Sequence, residues 1–225
     1  MKRSEINLYI AQAIDFFAAN HFSLPPFANW TPETWRGKSS EIDEIRRCRL
    51  GWDITDFATG DFASCGLTLF TLRNHPISDG VHGYAEKIMM VRDHQLTPLH
   101  CHHSKTEDII NRGKSGDLVV QLYQSTETGE LAETPVSVLC DGVIRHTEPG
   151  GQITLHPGES ITLPPRLYHA FHAINGDALI GEVSSLNDDA HDNYFYRELS
   201  RFPYLIEDEP PIRLLCTEYP TASLS

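Results

Sequence analysis

Two histidines one residue apart, His100 and His102, precede Glu107 at short range, and a third, His169, stands much later beside the turn Pro164-Pro165-Arg166. Imidazoles and carboxylates are donors for a divalent transition-metal ion, and spacing decides whether they can share one. On a β-strand, residues i and i+2 point to the same face, so His100 and His102 can present two rings to a single ion. On a helix they would lie about 200° apart, since each residue turns about 100°. Pro98 argues for the strand, because proline suits a strand entry and interrupts a helix. Alternation then turns Cys101 and His103 away. Glu107 follows the polar turn His103-Ser104-Lys105-Thr106 and opens Glu107-Asp108-Ile109-Ile110, from which a carboxylate can reach back across a hairpin. The competing reading is a set of surface histidines, since the chain holds 12. Imidazoles with one carboxylate suit Mn2+, Fe2+, Ni2+, Co2+ or Zn2+ and leave positions of an octahedral ion open. Adjacent open positions are what a substrate with neighbouring hydroxyl and carbonyl oxygens needs.

The order His100-x-His102, Glu107, Gly113, then Gly158, Pro164 and His169 resembles the two-part motif of the cupin superfamily. Departures fall on turns: Gly113 arrives one residue early, Arg166 replaces a second glycine and Ala173 a closing asparagine. Within the cupins, the stretch from Pro98 to Asp192 is similar to the D-lyxose isomerases. The similarity runs through Lys105-Thr106-Glu107, His169-Ala170-Phe171-His172-Ala173 and Gly181-Glu182-Val183-Ser184-Ser185, leading to His191-Asp192. That resemblance implies a manganese-preferring site of His100, His102, Glu107 and His169. It further implies a homodimer that interconverts aldoses and ketoses, typically D-lyxose with D-xylulose and D-mannose with D-fructose. The N-terminal segment ahead of Pro98 carries no motif that the resemblance transfers.

In such an enzyme the ion polarises the C1 or C2 oxygen, and a base moves a proton between C1 and C2 through a cis-enediol. A hydride shift is the route the sequence leaves equally open. Glu182 is the first candidate for the base: a carboxylate inside Leu179-Ile180-Gly181-Glu182-Val183 is expensive unless used or paired. Its alternative is an outward, solvated glutamate. Lys105 is the second candidate, placed to carry or stabilise charge on a sugar oxygen, against an ordinary turn lysine. Asp192 is a candidate for sugar hydroxyls or a loop cap, and Arg166 for substrate contact at the barrel mouth or a surface role. His172 alternates to the face opposite His169 and reads as structural. Trp30, Trp35 and Trp52 are expected to pack helices on the barrel rather than stack on a sugar.

Two other functions compete. The same ligand set supports oxygen chemistry in other cupins, which makes a non-haem iron dioxygenase the alternative. A non-catalytic binding or regulatory cupin is the third. The polar inventory of Lys105, Glu182 and Asp192 suits a polyol better than an apolar or thiol substrate.

The elements that must position these residues are mostly strands. Gly66–Leu72, Glu86–Arg92, Leu118–Tyr123, Val136–Leu139 and Ser160–Ile161-Thr162-Leu163 are short apolar runs punctuated by Gly, Pro, Asn and Asp. Such a pattern indicates a sandwich or barrel. The fold class expected is all-β dominated, a cupin-type β-barrel (jelly roll) with N-terminal helices. Residues 1–50 form a helical extension, 51–200 the barrel and 201–225 an extended tail lying on the surface or a partner subunit, in a single structural domain. Ile6, Ile10, Ala13, Ile14 and Phe17 recur at helical spacing over residues 4–20, with Ser4 as the N-cap. Thr31-Pro32 starts a short helix, a further one is expected over 40–48, and another from Asn193 to Leu199.

Composition bounds the rest. With 225 residues, 40% hydrophobic and 22% charged, the chain has material for one large core. A formal charge of −13 disfavours a nucleic-acid partner, which needs a concentrated basic face. Cys48, Cys65, Cys101, Cys140 and Cys216 are scattered and odd in number, so reduced thiols in a cytoplasmic protein are expected. No segment has the apolar length of a membrane span.

Overall fold

The computed structural model describes residues 1–75, 83–185, 187–188, 191–201 and 203–221. Helices gather at the start: α1 (Arg3–Ala19), α2 (Pro32–Arg36) and α3 (Asp43–Arg47), with 3-10 turns at Pro26–Asn29 and Ser40–Ile42. Strands follow: β1 (Gly51–Thr55), β2 (Leu67–His75), β3 (Tyr84–Val91), β4 (Thr97–His102), β5 (Glu107–Asn111), β6 (Asp117–Gln124) and β7 (Val136–Cys140). The rest are β8 (Val143–Thr147), β9 (Gln152–Leu155), β10 (Ser160–Leu163), β11 (Leu167–Ile174), β12 (Ala178–Ser184) and β13 (Asn193–Phe195). They build two antiparallel sheets, ordered β1-β2-β3-β12-β5-β10-β7-β8 and β13-β4-β11-β6-β9. This is the two-sheet β architecture with N-terminal helices that the strand pattern indicates.

Period-two alternation sorts side chains between two cores. Inward residues of both sheets, among them Leu69, Met89, Ile109, Leu122, Ile161 and Phe171, fill the space between the sheets. Outward residues of the eight-stranded sheet, Trp52, Ile54, Phe70, Ile88, Met90 and Leu179, meet Ile6, Ile10, Ala13 and Phe17 of α1. The 3.6-residue stripe of α1 thus covers a sheet face that would otherwise be wet. Burying Ile6, Ile10 and Phe17 stabilises the contact by roughly 1.5–3 kcal/mol each, in a helix that alone would be marginal. Trp52 and Trp35 are buried in this layer, Trp52 Nε1 donating to the Ala28 carbonyl at 2.9 Å and Trp30 lying edge-on to Trp35. The tryptophans pack helices and tail, as expected.

Several sequence expectations are corrected. α1 begins at Arg3 with Lys2 as its cap, whose backbone N–H donates to Glu5 Oε2 at 2.7 Å. The Ser4 hydroxyl instead donates to Asp208 of the tail. The helix expected over 40–48 splits into the 3-10 turn and α3. Residues Asn193–Phe195 form a strand, not a helix, pairing with β4 so that Phe195 lies opposite His100. Tyr194 faces solvent there while its neighbours turn inward, a period of two that the aromatic run concealed. The tail from residue 203 to 221 packs on the chain's own helices. Arg3 pairs with Glu207 at 2.6 Å and with Glu218, and Tyr219 stacks on Trp35 at 3.8 Å. Residues 222–225 of the expected tail lie outside the described residues.

Candidate metal centre and catalytic cavity

β4 and β11 run antiparallel in one sheet with His100 directly opposite His169. His102, two residues along β4, shares their face. The three rings converge between the sheets, their ligand nitrogens all within 4.8 Å of one another. Opposite them, the chain crosses at Ser104–Thr106 into β5, whose first residue is Glu107. Its Oε1 stands 3.0 Å from His169 Nε2 and 3.3 Å from His102 Nε2. All four side chains are buried. His103 is exposed, and Cys101 is buried on the other side of β4, where burial pushes its thiol up.

Backbone carbonyls orient two of the imidazoles. His100 Nδ1 lies 2.8 Å from the Pro98 carbonyl and His169 Nδ1 3.0 Å from the Leu167 carbonyl. A carbonyl only accepts, so each Nδ1 carries the proton and each Nε2 offers a lone pair to the centre. Burial, reinforced by the neighbouring rings, holds His100 well below the ordinary histidine value. Burial likewise lowers His102, with Glu107 opposing it. Neutral imidazoles are what a metal requires. Glu107 Oε1 and His169 Nε2 are buried without a hydrogen-bond partner. Orphaned polar atoms of this kind are rare and unfavourable unless something binds them, and a divalent ion fits the donor set.

The same cavity holds a chain of charges. Lys105 Nζ donates to Glu107 Oε2 at 2.5 Å and to Glu182 Oε1 at 3.0 Å, and Lys87 Nζ lies 3.5 Å from Glu182 Oε1. Glu182 sits in β12 between β3 and β5, with Lys87 its cross-strand partner. Burial pushes Glu182 up, but Lys105 and Lys87 outweigh it and hold the carboxyl below its usual value. Glu107 is held well below its usual value, Lys105 and His102 overcoming burial. Burial would lower Lys105; Glu107 and Glu182 reverse that and keep the ammonium charged. Glu107 is therefore divided: one oxygen faces the histidines, the other holds Lys105. The cavity these groups line holds about 40 Å³ of free volume. Phe57, Leu67, Leu69, Met89 and Phe171 supply its apolar wall.

His100, His102, Lys105, Glu107, His169 and Glu182 are brought together. Asp192 stands at the edge of this group, its Oδ2 3.9 Å from His102 Nδ1, whereas Arg166 lies outside it. The Asp192 carboxylate accepts from the backbone N–H of Ser104 at 2.8 Å and of Lys105 at 3.2 Å, capping the loop that carries Lys105. Arg166 is exposed, in the left-handed region at φ 63° where the cupin pattern has glycine. Its guanidinium donates to the carbonyls of Thr126 and Glu127, and it lines a separate surface groove. The structure thus places Arg166 at a surface groove outside the cavity. His172 is half-buried on the opposite face, where burial lowers it.

Lys87, Asn193, Phe195 and Arg201 also line the cavity and were missed. Lys87 carried a signal, being a charge inside the apolar run Glu86-Lys87-Ile88-Met89-Met90, the same argument that singled out Glu182. Arg201, from irregular chain after the last strand, carried none.

Residues 1–219 match the family model described as D-lyxose isomerase. The chain is 47% identical over 224 residues to the D-lyxose/D-mannose isomerase of Escherichia coli O157:H7, covering 97% of this chain and 98% of the relative. Identity and coverage are the same for the D-lyxose/D-mannose isomerase of Serratia proteamaculans. Among solved structures, the L-ribose isomerase of Acinetobacter sp. DL28 in complex with L-ribose superposes with a TM-score of 0.57 at 17% identity. That match covers 91% of this chain and 98% of the other, a likeness of fold.

Proposed function

The chain belongs to the D-lyxose isomerase family, and from that premise we propose that it interconverts D-lyxose with D-xylulose and, in the same cavity, D-mannose with D-fructose. The observation that carries the reading is the convergence of two groups in one buried cavity. One is a metal-type donor set with orphaned atoms; the other is the ionised carboxylate Glu182 bridged to it by Lys105. Family membership decides for a sugar isomerase over the dioxygenase and the non-catalytic cupin.

His100, His102, Glu107 and His169 would hold the ion, manganese on this reading, through three imidazoles and one oxygen of Glu107. When bound, it supplies Lewis-acid polarisation of the O1 and O2 oxygens. Glu182 takes the proton from C2 of the open-chain aldose, giving the cis-enediol, and returns it to C1, giving the ketose. Both lysines keep Glu182 ionised, so it is ready to accept at neutral pH. Lys105, an ammonium, gives a proton to O1 as the enediol forms and takes one back from O2 as the ketose forms, while its contact with Glu107 fixes its position. The apolar wall excludes water from the enediol. Asp192 keeps the Lys105 loop in register by binding two of its backbone N–H groups.

A homodimer and a cytoplasmic site belong to the same reading. Exposed Tyr194, Tyr196 and Tyr204 support association, and five free thiols suit a reducing compartment. The helical extension of 1–50 and the tail of 201–225 act on this reading as supports of the 51–200 barrel. Purified protein with Mn2+ under anaerobic conditions should form ketose from D-lyxose and D-mannose. Oxygen uptake on another substrate, with no ketose from any pentose or hexose, would sink the proposal.

A further inference from the structure

Glu107, Lys105 and Glu182 crowd one part of the cavity, on β5, β12 and the loop leading into β5. The opposite part is framed by β2, β3 and the chain just after β1, where Leu67, Leu69, Met89 and Phe57 make an apolar wall. One charged pair interrupts that wall. Asp53 of β1 is buried and pairs across β2 with Leu69, so its side chain shares the inward face. Arg201 Nη2 donates to Asp53 Oδ2 at 2.6 Å, both side chains less than a tenth exposed. The Arg201 backbone is fixed as well, its carbonyl accepting from Thr55 Oγ1 at 2.8 Å. Two charges taken out of water beside four apolar side chains are unfavourable as a stability device, since a hydrophobic pair of similar volume does as well or better.

We infer that Arg201 is a substrate-binding residue that recognises the hydroxyl end of the sugar remote from its carbonyl, with Asp53 as its positioning residue. The inference rests on the isomerase reading of the same cavity. β1 stands three strands from β12, roughly 14 Å at the usual spacing between strands. Asp53 and Arg201 therefore face the catalytic groups across the cavity rather than joining them. A sugar whose C1 and C2 lie at Glu182 and Lys105 directs O4 and O5 toward that wall. A guanidinium has five N–H donors in a planar fork, and Asp53 Oδ2 engages one of its nitrogens. The arrangement holds the fork against the cavity, where Phe57, Leu67, Leu69 and Met89 cannot answer a hydroxyl. Rejection of an analogue lacking the recognised hydroxyl follows, because the polar pair would then face apolar surface.

The test uses full-length protein loaded with Mn2+, with D-lyxose, 4-deoxy-D-lyxose and 5-deoxy-D-lyxose as substrates. Wild type should lose kcat/KM by roughly ten- to hundredfold on at least one deoxy analogue, the loss expected for a charged hydrogen bond. In Arg201→Met the KM for D-lyxose should rise by a similar factor with kcat less affected, and the discrimination between parent and analogue should collapse to a few fold. Bound metal should be unchanged. If the methionine variant does not fold, Arg201→Lys carries the test, since it keeps a charge beside Asp53 but loses the fork. Variants that keep the wild-type discrimination would overturn the inference and leave Arg201 as a structural ion pair. Failure of wild type to turn over D-lyxose would instead sink the functional reading, and this inference with it.

Discussion

Replacing Lys105 with methionine removes one ammonium and keeps a side chain of similar length. Its Nζ lies 2.5 Å from Glu107 Oε2 and 3.0 Å from Glu182 Oε1. At an effective dielectric constant of about 20, attraction at those separations amounts to about 6.6 and about 5.5 kcal/mol. Much of this offsets the several kcal/mol needed to bury the ammonium. The two carboxylates then fare differently. Glu182 keeps Lys87 at 3.5 Å, whereas Glu107 is left facing the imidazoles of His102 and His169. An uncompensated buried charge should destabilise the metal-free protein by about 3–5 kcal/mol. Part of that is relieved as Glu107 takes up a proton, at about 1.4 kcal/mol per pKa unit. A divalent ion at Glu107 Oε1 would give the carboxylate a new cation, so the deficit should shrink in saturating Mn2+. Urea unfolding of wild type and Lys105→Met, in chelator and in Mn2+, reads both quantities. A loss below about 1 kcal/mol in chelator, or the same loss with and without metal, would refute the reasoning.

Three further outcomes are expected. His102→Ala and Glu107→Ala should abolish bound metal by elemental analysis, while exposed His103→Ala should retain it; equal loss in all three would contradict the register of β4. Metal-free protein should lose stability as pH falls through about 6.5. His100 and His102 have folded values depressed below the 6.5 of the unfolded chain, so below that pH the unfolded state binds protons first and ∂ΔG/∂pH is positive. Two such groups give a slope of up to about 2.7 kcal/mol per pH unit, and denaturant midpoints unchanged between pH 7 and pH 5 would exclude it. Below pH 4.5 the slope should steepen, since Glu107 and Glu182, held below that value when folded, then lose their contribution; a flat acid limb would contradict the buried network.

What the sequence revealed depended on range. Strand alternation placed His100 and His102 on one face and turned Cys101 and His103 away, because a two-residue period is local. An apolar run around Glu182 marked a charge in need of a partner, yet the same argument applied to Lys87 went unused, and the pair emerges only from the β3–β12 register. Arg201 was illegible. It lies in irregular chain, and its place depends on Asp53, far away in sequence. Arg166, in a proline turn beside a ligand in sequence, lines a surface groove where its guanidinium meets the Thr126 and Glu127 carbonyls, a placement that depends on a distant loop. The run from Asn193 concealed a strand because its aromatic residues fit either period. Local spacing reported donors; tertiary register reported their partners.

On this reading Glu182 moves the proton and leaves metal binding to other residues. The most direct measurement is the turnover of D-lyxose by Glu182→Gln, per mole of bound Mn2+. The amide keeps shape and can still receive the Lys87 and Lys105 ammonium groups, but it cannot take a proton from C2. Full metal occupancy with kcat reduced by roughly 10²–10⁴-fold is the expected result. A metal-loaded variant turning over within a few fold of wild type would contradict it.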